Sequence, residues 1–267
     1  MEATACPPPR HQAILPAMAE PILIEACVDS SESAAAAAQG GAGRLELCAN
    51  LVEGGTTPSA GTIALARELG VVLHVMIRPR GGDFCYTERE FESMRRDVHE
   101  ARRLGADGVV FGLLTPDGTI DAHRSRILLE EARPLSVTVH RAFDVSRDPH
   151  EALDTLIHLG VDRVLTSGQQ ATVPEGLPLI RSLVERAGGR LGILPGGGIT
   201  AANVAEVVRV TGVREVHVHA ARTFPSPMEF RNPRVVMGSS YMPDEYRRAE
   251  TAAEQIAAVV GALADLA

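Results

Sequence analysis

The sequence predicts a single-domain α/β fold, the (β/α)8 TIM barrel. Three observations point to it: eight short apolar runs, helix-start signals between them, and strand starts that recur roughly every 20 to 36 residues. That repeat is one strand, one helix and two loops long. Strands separated by helices pair in parallel, because each crossover is too long for a hairpin. The runs are ILIEACV from Ile22, GRLELC from Gly43, VVLHVMIR from Val71, DGVVFGL from Asp107, LSVTVHR from Leu135, DRVLTS from Asp162, RLGILP from Arg190 and REVHVHA from Arg214. Helix starts are read at Thr57-Pro58, at the capping box from Thr87 to Glu90, at Asp148-Pro149, at Val173-Pro174 and at Thr200. The last helix falls in the Ala-rich tail after Asp244.

A doubly wound open sheet is the runner-up architecture. The first strand-to-helix turn, CVDSSES, carries no GxGxxG, so no nucleotide cofactor is expected. Residues 1–21, rich in Pro and Ala, are expected to be a disordered extension, with Met18 as an alternative start, and 22–267 to form the barrel. The formal charge of −8, from 34 acidic and 26 basic residues, has the wrong sign for reading a phosphate backbone, so nucleic acid is excluded as a partner. No run of 18 apolar residues exists, and no membrane partner is expected. The four cysteines, Cys6, Cys27, Cys48 and Cys85, are too sparse for a disulfide scaffold and form no CxxC pair. A reducing compartment is the expected setting.

In a parallel barrel one parity of each strand meets the helices and the other fills the lumen. The aliphatic parity holds Ile24, Ala26 and Val28, then Leu45 and Leu47, Leu73, Val75 and Ile77, Val137 and Val139, and Val216 and Val218. Turning that set outward sends Glu25, Cys27, Glu46, Cys48, His74, Met76, Arg78, Thr138, His140, Glu215, His217 and His219 inward. An ordinary barrel interior is Val, Ile and Leu, because an unpaired buried charge costs several kcal/mol. A ligand site explains the difference. The plainer alternative is a self-neutralising network of Glu25 and Glu46 against Arg78 and imidazoles that only holds the barrel shut.

The triplets Glu25-Ala26-Cys27 and Glu46-Leu47-Cys48 repeat on consecutive strands. In register, their thiols would lie within reach of one ion, since parallel neighbours are about 4.8 Å apart. Two thiolates, with Met76 or a histidine beside them, form a soft donor set suited to Cu(I). The glutamates and histidines would equally suit a hard divalent ion, or acid and base work on a carbonyl substrate. Two further loops sit beyond strand C-termini. The segment from Arg78 to Tyr86 follows the third strand and offers two arginines to an anion. Gly196, Gly197 and Gly198 follow the seventh and resemble a phosphate cradle, with Arg222 supplying countercharge.

Several long strings carry a family resemblance: EACVDSSESAAAAAQGGAGRLELCANLVEGGTTPS, HVMIRPRGGDFCYTERE, GADGVVFGLLTPDGTID, HRAFDVSRDP, GVDRVLTSGQ, LPGGGIT, and a tail with FRNP, MGSS and DEY. With them, residues 22 to about 246 closely resemble the CutC copper homeostasis family. The resemblance implies a (β/α)8 barrel, a cytoplasmic location, and Cu(I) bound by Cys27 and Cys48. At His219 the family pattern carries a small residue, usually Ser, so this lumen has an additional imidazole. The acidic residue expected after DEY is not evident near Glu250-Thr251-Ala252.

Two functions therefore compete. In the first the barrel binds Cu(I) through Cys27 and Cys48. In the second it is an enzyme acting on a small anionic, possibly phosphorylated metabolite. There His74, Met76, Arg78, His217, His219, Gly196, Gly197, Gly198 and Arg222 would surround the ligand, and Glu25, Glu46 and His140 would share proton transfer. A third reading makes the barrel mainly a subunit of a homo-oligomer.

Overall fold

The structure, a computed structural model, describes residues 21–232, 234–235 and 246–266. Eight strands fall one within each predicted run: β1 (Leu23–Val28), β2 (Arg44–Leu47), β3 (Val72–Met76), β4 (Gly108–Phe111), β5 (Ser136–Val139), β6 (Arg163–Thr166), β7 (Gly192–Pro195) and β8 (Glu215–Val218). They are parallel neighbours in the order β7-β6-β5-β4-β3-β2-β1-β8, and a parallel bridge between Gly196 and His217 brings the ring nearly to closure. Eight helices surround it: α1 (Ser31–Gln39), α2 (Ala60–Arg67), α3 (Glu88–Arg103), α4 (Ala122–Ala132), α5 (Pro149–Leu159), α6 (Val173–Ala187), α7 (Val204–Thr211) and α8 (Ala253–Leu263). The architecture is the (β/α)8 barrel.

Local sequence sets the helix boundaries. Glu90 donates its N–H to Thr87 Oγ1 and its carboxylate accepts from the Thr87 N–H, so two orphan donors at the start of α3 are satisfied at once. Phe91, Met94, Val98 and Ala101 then recur at helical spacing and are buried against the strands. Asp148 caps α5 by accepting from the N–H groups of His150 and Glu151, with Pro149 at the first helical position. Two starts differ from expectation. Helix α2 begins at Ala60 with Ser59 as its cap, later than Thr57-Pro58, and α7 begins at Val204 after a turn rather than at Thr200.

The aliphatic parity predicted to face the helices does so. Ile24, Ala26, Val28, Leu45, Leu47, Leu73, Val75, Ile77, Val137, Val139, Val216 and Val218 all belong to one buried cluster between strands and helices. Each large side chain buried there contributes about 1.5–3 kcal/mol, so this shell is the main source of stability.

One element was not foreseen. After β8 the chain forms β9 (Ala221–Pro225), which pairs antiparallel with β10 (Arg247–Thr251) before α8 begins. The Thr251 N–H donates to Ser33 Oγ on α1 at 3.0 Å and pins this ribbon to the barrel flank. The predicted extension, apart from Pro21, and the MGSS string at 237–240 lie outside the described residues. Among the described residues no helix is long and apolar enough to cross a membrane.

Candidate functional site in the barrel lumen

Strand register decides which lumen groups meet. Cys27 pairs with Glu46 and Glu25 with Arg44, so the two Glu-x-Cys triplets are offset by two residues. The in-register arrangement that would set the two thiols side by side is therefore not the one adopted. The reason is the stagger that closing a barrel imposes between neighbouring strands. Glu25, on β1, also stands opposite His217 on β8.

Deep in the lumen, Glu25 is fully buried and accepts a hydrogen bond from Arg44 Nε. Its other oxygen lies 2.7 Å from His217 Nδ1. Arg44 also reaches Glu215 at 2.7 Å, and Arg163 approaches the same carboxylate at 3.2 Å. The guanidinium that neutralises Glu25 is thus Arg44 rather than Arg78. His74 lies beside this network, its Nδ1 3.9 Å from Glu25 and without a hydrogen-bond partner. Its ring takes the space a side chain at residue 108 would need, since a Cβ on Gly108 would sit 2.5 Å from it.

Above that layer lie the sulfur groups. Glu46 Oε2 contacts Cys27 Sγ at 3.4 Å and Cys48 Sγ at 3.6 Å. Cys27, Cys48, Met76 and Val110 form a small buried cluster separate from the main core, with Leu51 packed against it. One ligand atom each from Cys27, Glu46 and His217 lies within 4.8 Å of the other two. All three cysteines among the described residues are free thiols.

The protonation pattern follows from these contacts. Burial would raise the Glu25 carboxyl, but the hydrogen bond from His217 and the charge of Arg44 hold it well below the usual carboxylate range. A hydrogen bond from Cys48 outweighs burial at Cys27 and, with His217, holds that thiol well below its ordinary value. The same bond, then burial, pushes Cys48 up. Burial pushes Glu46 up against the opposing charge of His217. At His217 burial disfavours the charged ring, and Glu46, Cys27 and Glu25 together outweigh it. These directions favour negative charge at Cys27 and positive charge at His217, whose ring Glu25 and Arg44 orient from below. Cys48 and Glu46 are pushed toward their neutral forms beside it.

At the C-terminal end of the strands a cavity of about 650 Å³ opens over this cluster. Its lining includes Cys27, Glu46, Met76, Arg78, Phe84, His140, Arg141, Gly196 to Gly198, His217 and the exposed His219. Arg78 donates from Nη1 to the carbonyls of Glu53 and Gly55, both at 2.8 Å, and from Nη2 to Gly82 at 3.0 Å. Residue 196 must be small, because a Cβ there would come within 2.5 Å of Leu165 and 3.0 Å of His217.

Of the predicted site residues, the cavity wall brings together Cys27, Glu46, Met76, Arg78, His140, His217, His219, Gly196, Gly197 and Gly198. Glu25 and His74 lie beneath it in the lumen, and Cys48 is buried behind Cys27 and Glu46. Arg222 is elsewhere. It sits on β9, pairs with Glu254 of α8 at 2.8 Å and stacks over Phe224, because the unforeseen ribbon carries it outside. Sequence reasoning missed Arg44, Arg163 and Arg141. Arg44 and Arg163 are the first residues of β2 and β6, where the inward parity was not followed back to the strand start. Arg141 follows His140 directly, and the two-residue strand period was the available signal for His140 only.

The sequence matches the family model described as the CutC family over residues 22–222. A CutC protein of Mesorhizobium japonicum is 53% identical over 241 residues, covering 90% of this chain and 93% of that one. The human copper homeostasis protein cutC homolog is 51% identical over 225 residues, covering 84% of this chain and 82% of its own. A crystal structure of the copper homeostasis protein CutC from Streptococcus agalactiae superposes with a TM-score of 0.70 at 38% identity, covering 73% of this chain and 97% of that one. The strand order, the thiol pair and this agreement over most of the chain lead to one conclusion: the protein belongs to the CutC family.

Proposed function

We propose that the protein binds Cu(I) as its cargo, held by the Cys27 and Cys48 sulfurs with His217 and Met76 completing a soft donor set. The observation that carries this reading is the buried cluster of Cys27, Cys48 and Met76, in which Cys27 also lies within 4.8 Å of the His217 imidazole. Thiolate, thioether and imidazole are the ligand types that Cu(I) prefers. The surroundings of Cys27 favour the charge a metal ligand needs, and an arriving cation would take over from the His217 proton the task of holding it. Cys48 must then lose its proton, so binding releases protons and strengthens as pH rises. Glu46, a hard donor that burial pushes toward its neutral form, contacts both sulfurs through Oε2 and is read as their neighbour rather than as a ligand.

Membership in a family whose human relative is named a copper homeostasis protein agrees with this reading. The proposed setting is the reducing cytoplasm, where free thiols persist. The test is Cu(I) competition against a chromophoric chelator under anaerobic conditions. The Cys27→Ser/Cys48→Ser protein is expected to lose affinity by roughly 100-fold or more while its circular dichroism is unchanged. Unchanged affinity in that folded double variant would end the proposal.

A further inference from the structure

A metal ion held by the thiol cluster leaves most of the cavity above it without a role. A single water needs only about 10–15 Å³ of such space, whereas small-molecule sites run from about 300 to 1,000 Å³. The cavity of about 650 Å³ is therefore of metabolite size. Its lining also carries a guanidinium, that of Arg78, whose hydrogen-bond partners are all neutral. Arg78 is only 5% exposed, and the partners its guanidinium nitrogens donate to are neutral carbonyls rather than a carboxylate. Its acceptors are three backbone carbonyls, its guanidinium lies 5.1 Å over the Phe84 ring, and the neutral Tyr86 hydroxyl lies beside it, with no close hydrogen bond at Nε. An unpaired buried cation costs several kcal/mol, and an anion at the same wall would offset that cost.

Two neighbours add donors. The Ala142 N–H donates to His140 Nδ1 at 3.1 Å, which leaves the ring proton on Nε2, and that buried Nε2–H also lacks an acceptor. Arg141 is fixed by Asp144 at its Nε and by Ser167 Oγ at its Nη2, both at 2.7 Å. Its remaining Nη1 lies against the backbone of Gly197, whose φ of +120° favours glycine and whose missing Cβ would stand 3.5 Å from that nitrogen. The opposing charge at the rim is Glu53, whose carboxylate lies beside Gly81.

We propose that the cavity binds a small oxyanion-bearing metabolite, a carboxylate or a phosphate ester, on the wall formed by Arg78, His140, Arg141 and Gly197. This site shares the cavity with Cys27 and does not depend on the copper reading. Guanidinium groups suit it because they match the fork geometry of both oxyanions.

The experiment is calorimetric titration and thermal melting of the full chain with inorganic phosphate and, separately, malonate, each up to about 20 mM. At least one probe is expected to bind once per chain and raise Tm. Binding of phosphate alone, of malonate alone or of both supports the site and names the ligand class. Arg78→Met and Arg141→Met are each expected to weaken binding by roughly 10-fold. Arg222→Ala, whose guanidinium pairs outside the cavity, should leave it unchanged. Because Arg78 also ties three loop carbonyls, its variant is read only if it melts cooperatively, and the partly exposed Arg141 supplies the independent reading. The Cys27→Ser/Cys48→Ser protein should keep anion affinity whatever becomes of its copper binding. No binding of either probe to the wild type would overturn the proposal, as would binding unchanged in Arg141→Met or abolished in the double cysteine variant.

Discussion

His217 Nδ1 lies 2.7 Å from Glu25 Oε1 at the floor of the lumen, and the other Glu25 oxygen accepts from Arg44. The imidazole is thereby fixed with its Nε2 edge toward Glu46, 3.9 Å away, and the charged ring is stabilised where burial alone would forbid it. This one carboxylate links the structural charge network below to the thiol cluster above.

Replacing Glu25 by Gln keeps the shape but removes the charge between Arg44 and His217. The expected cost is about 3 kcal/mol or more, because a partner of buried charges is lost. Urea unfolding at neutral pH measures it. A cost below about 1 kcal/mol would mean that Glu215 alone neutralises Arg44.

Gly108 faces the His74 ring with no room to spare. Gly108→Ala is expected to destabilise the fold by about 1–3 kcal/mol, and the same change in a His74→Ala background by much less. A double-mutant cycle from denaturant melts shows the coupling. Additive effects would contradict the packing described.

Burial, then the charge of Arg78, pushes His140 down to about 3 from an ordinary 6.5. Below pH 6.5 the unfolded chain therefore binds a proton there that the native state does not, and stability from this group falls as pH falls. The stability gap between wild type and His140→Gln at pH 7 should shrink by about 2 kcal/mol at pH 5. Unfolding free energies of both proteins at the two pH values test it, and a constant gap would contradict the neutral buried ring.

Cys27 should ionise well before an ordinary thiol, because Cys48 and His217 stabilise its thiolate. Ultraviolet absorbance of the thiolate, followed against pH, is expected to show one early step. Cys27→Ser should abolish that step and His217→Gln should move it to higher pH. An early step that survives Cys27→Ser would assign the thiolate elsewhere.

Much of the lumen was legible because strand parity is strict. In VVLHVMIR the aliphatic residues Leu73, Val75 and Ile77 could only face helices, which left His74, Met76 and Arg78 for the interior. The ribbon of β9 and β10 was not legible. Its segments ARTFP and RRAET are polar and mostly exposed, so no apolar alternation announces them. Arg222 was misplaced for that reason.

The sequence by itself determined the eight strand-and-helix units, the direction each strand parity faces and the polar character of the interior, because these depend on local periodicity. The tertiary structure alone decided that Cys27 stands beside Glu46, that Arg44 rather than Arg78 neutralises Glu25, and that Arg78 is tied to backbone carbonyls above them. Those pairings come from the stagger between strands, which is a property of the closed ring and is written in no single segment.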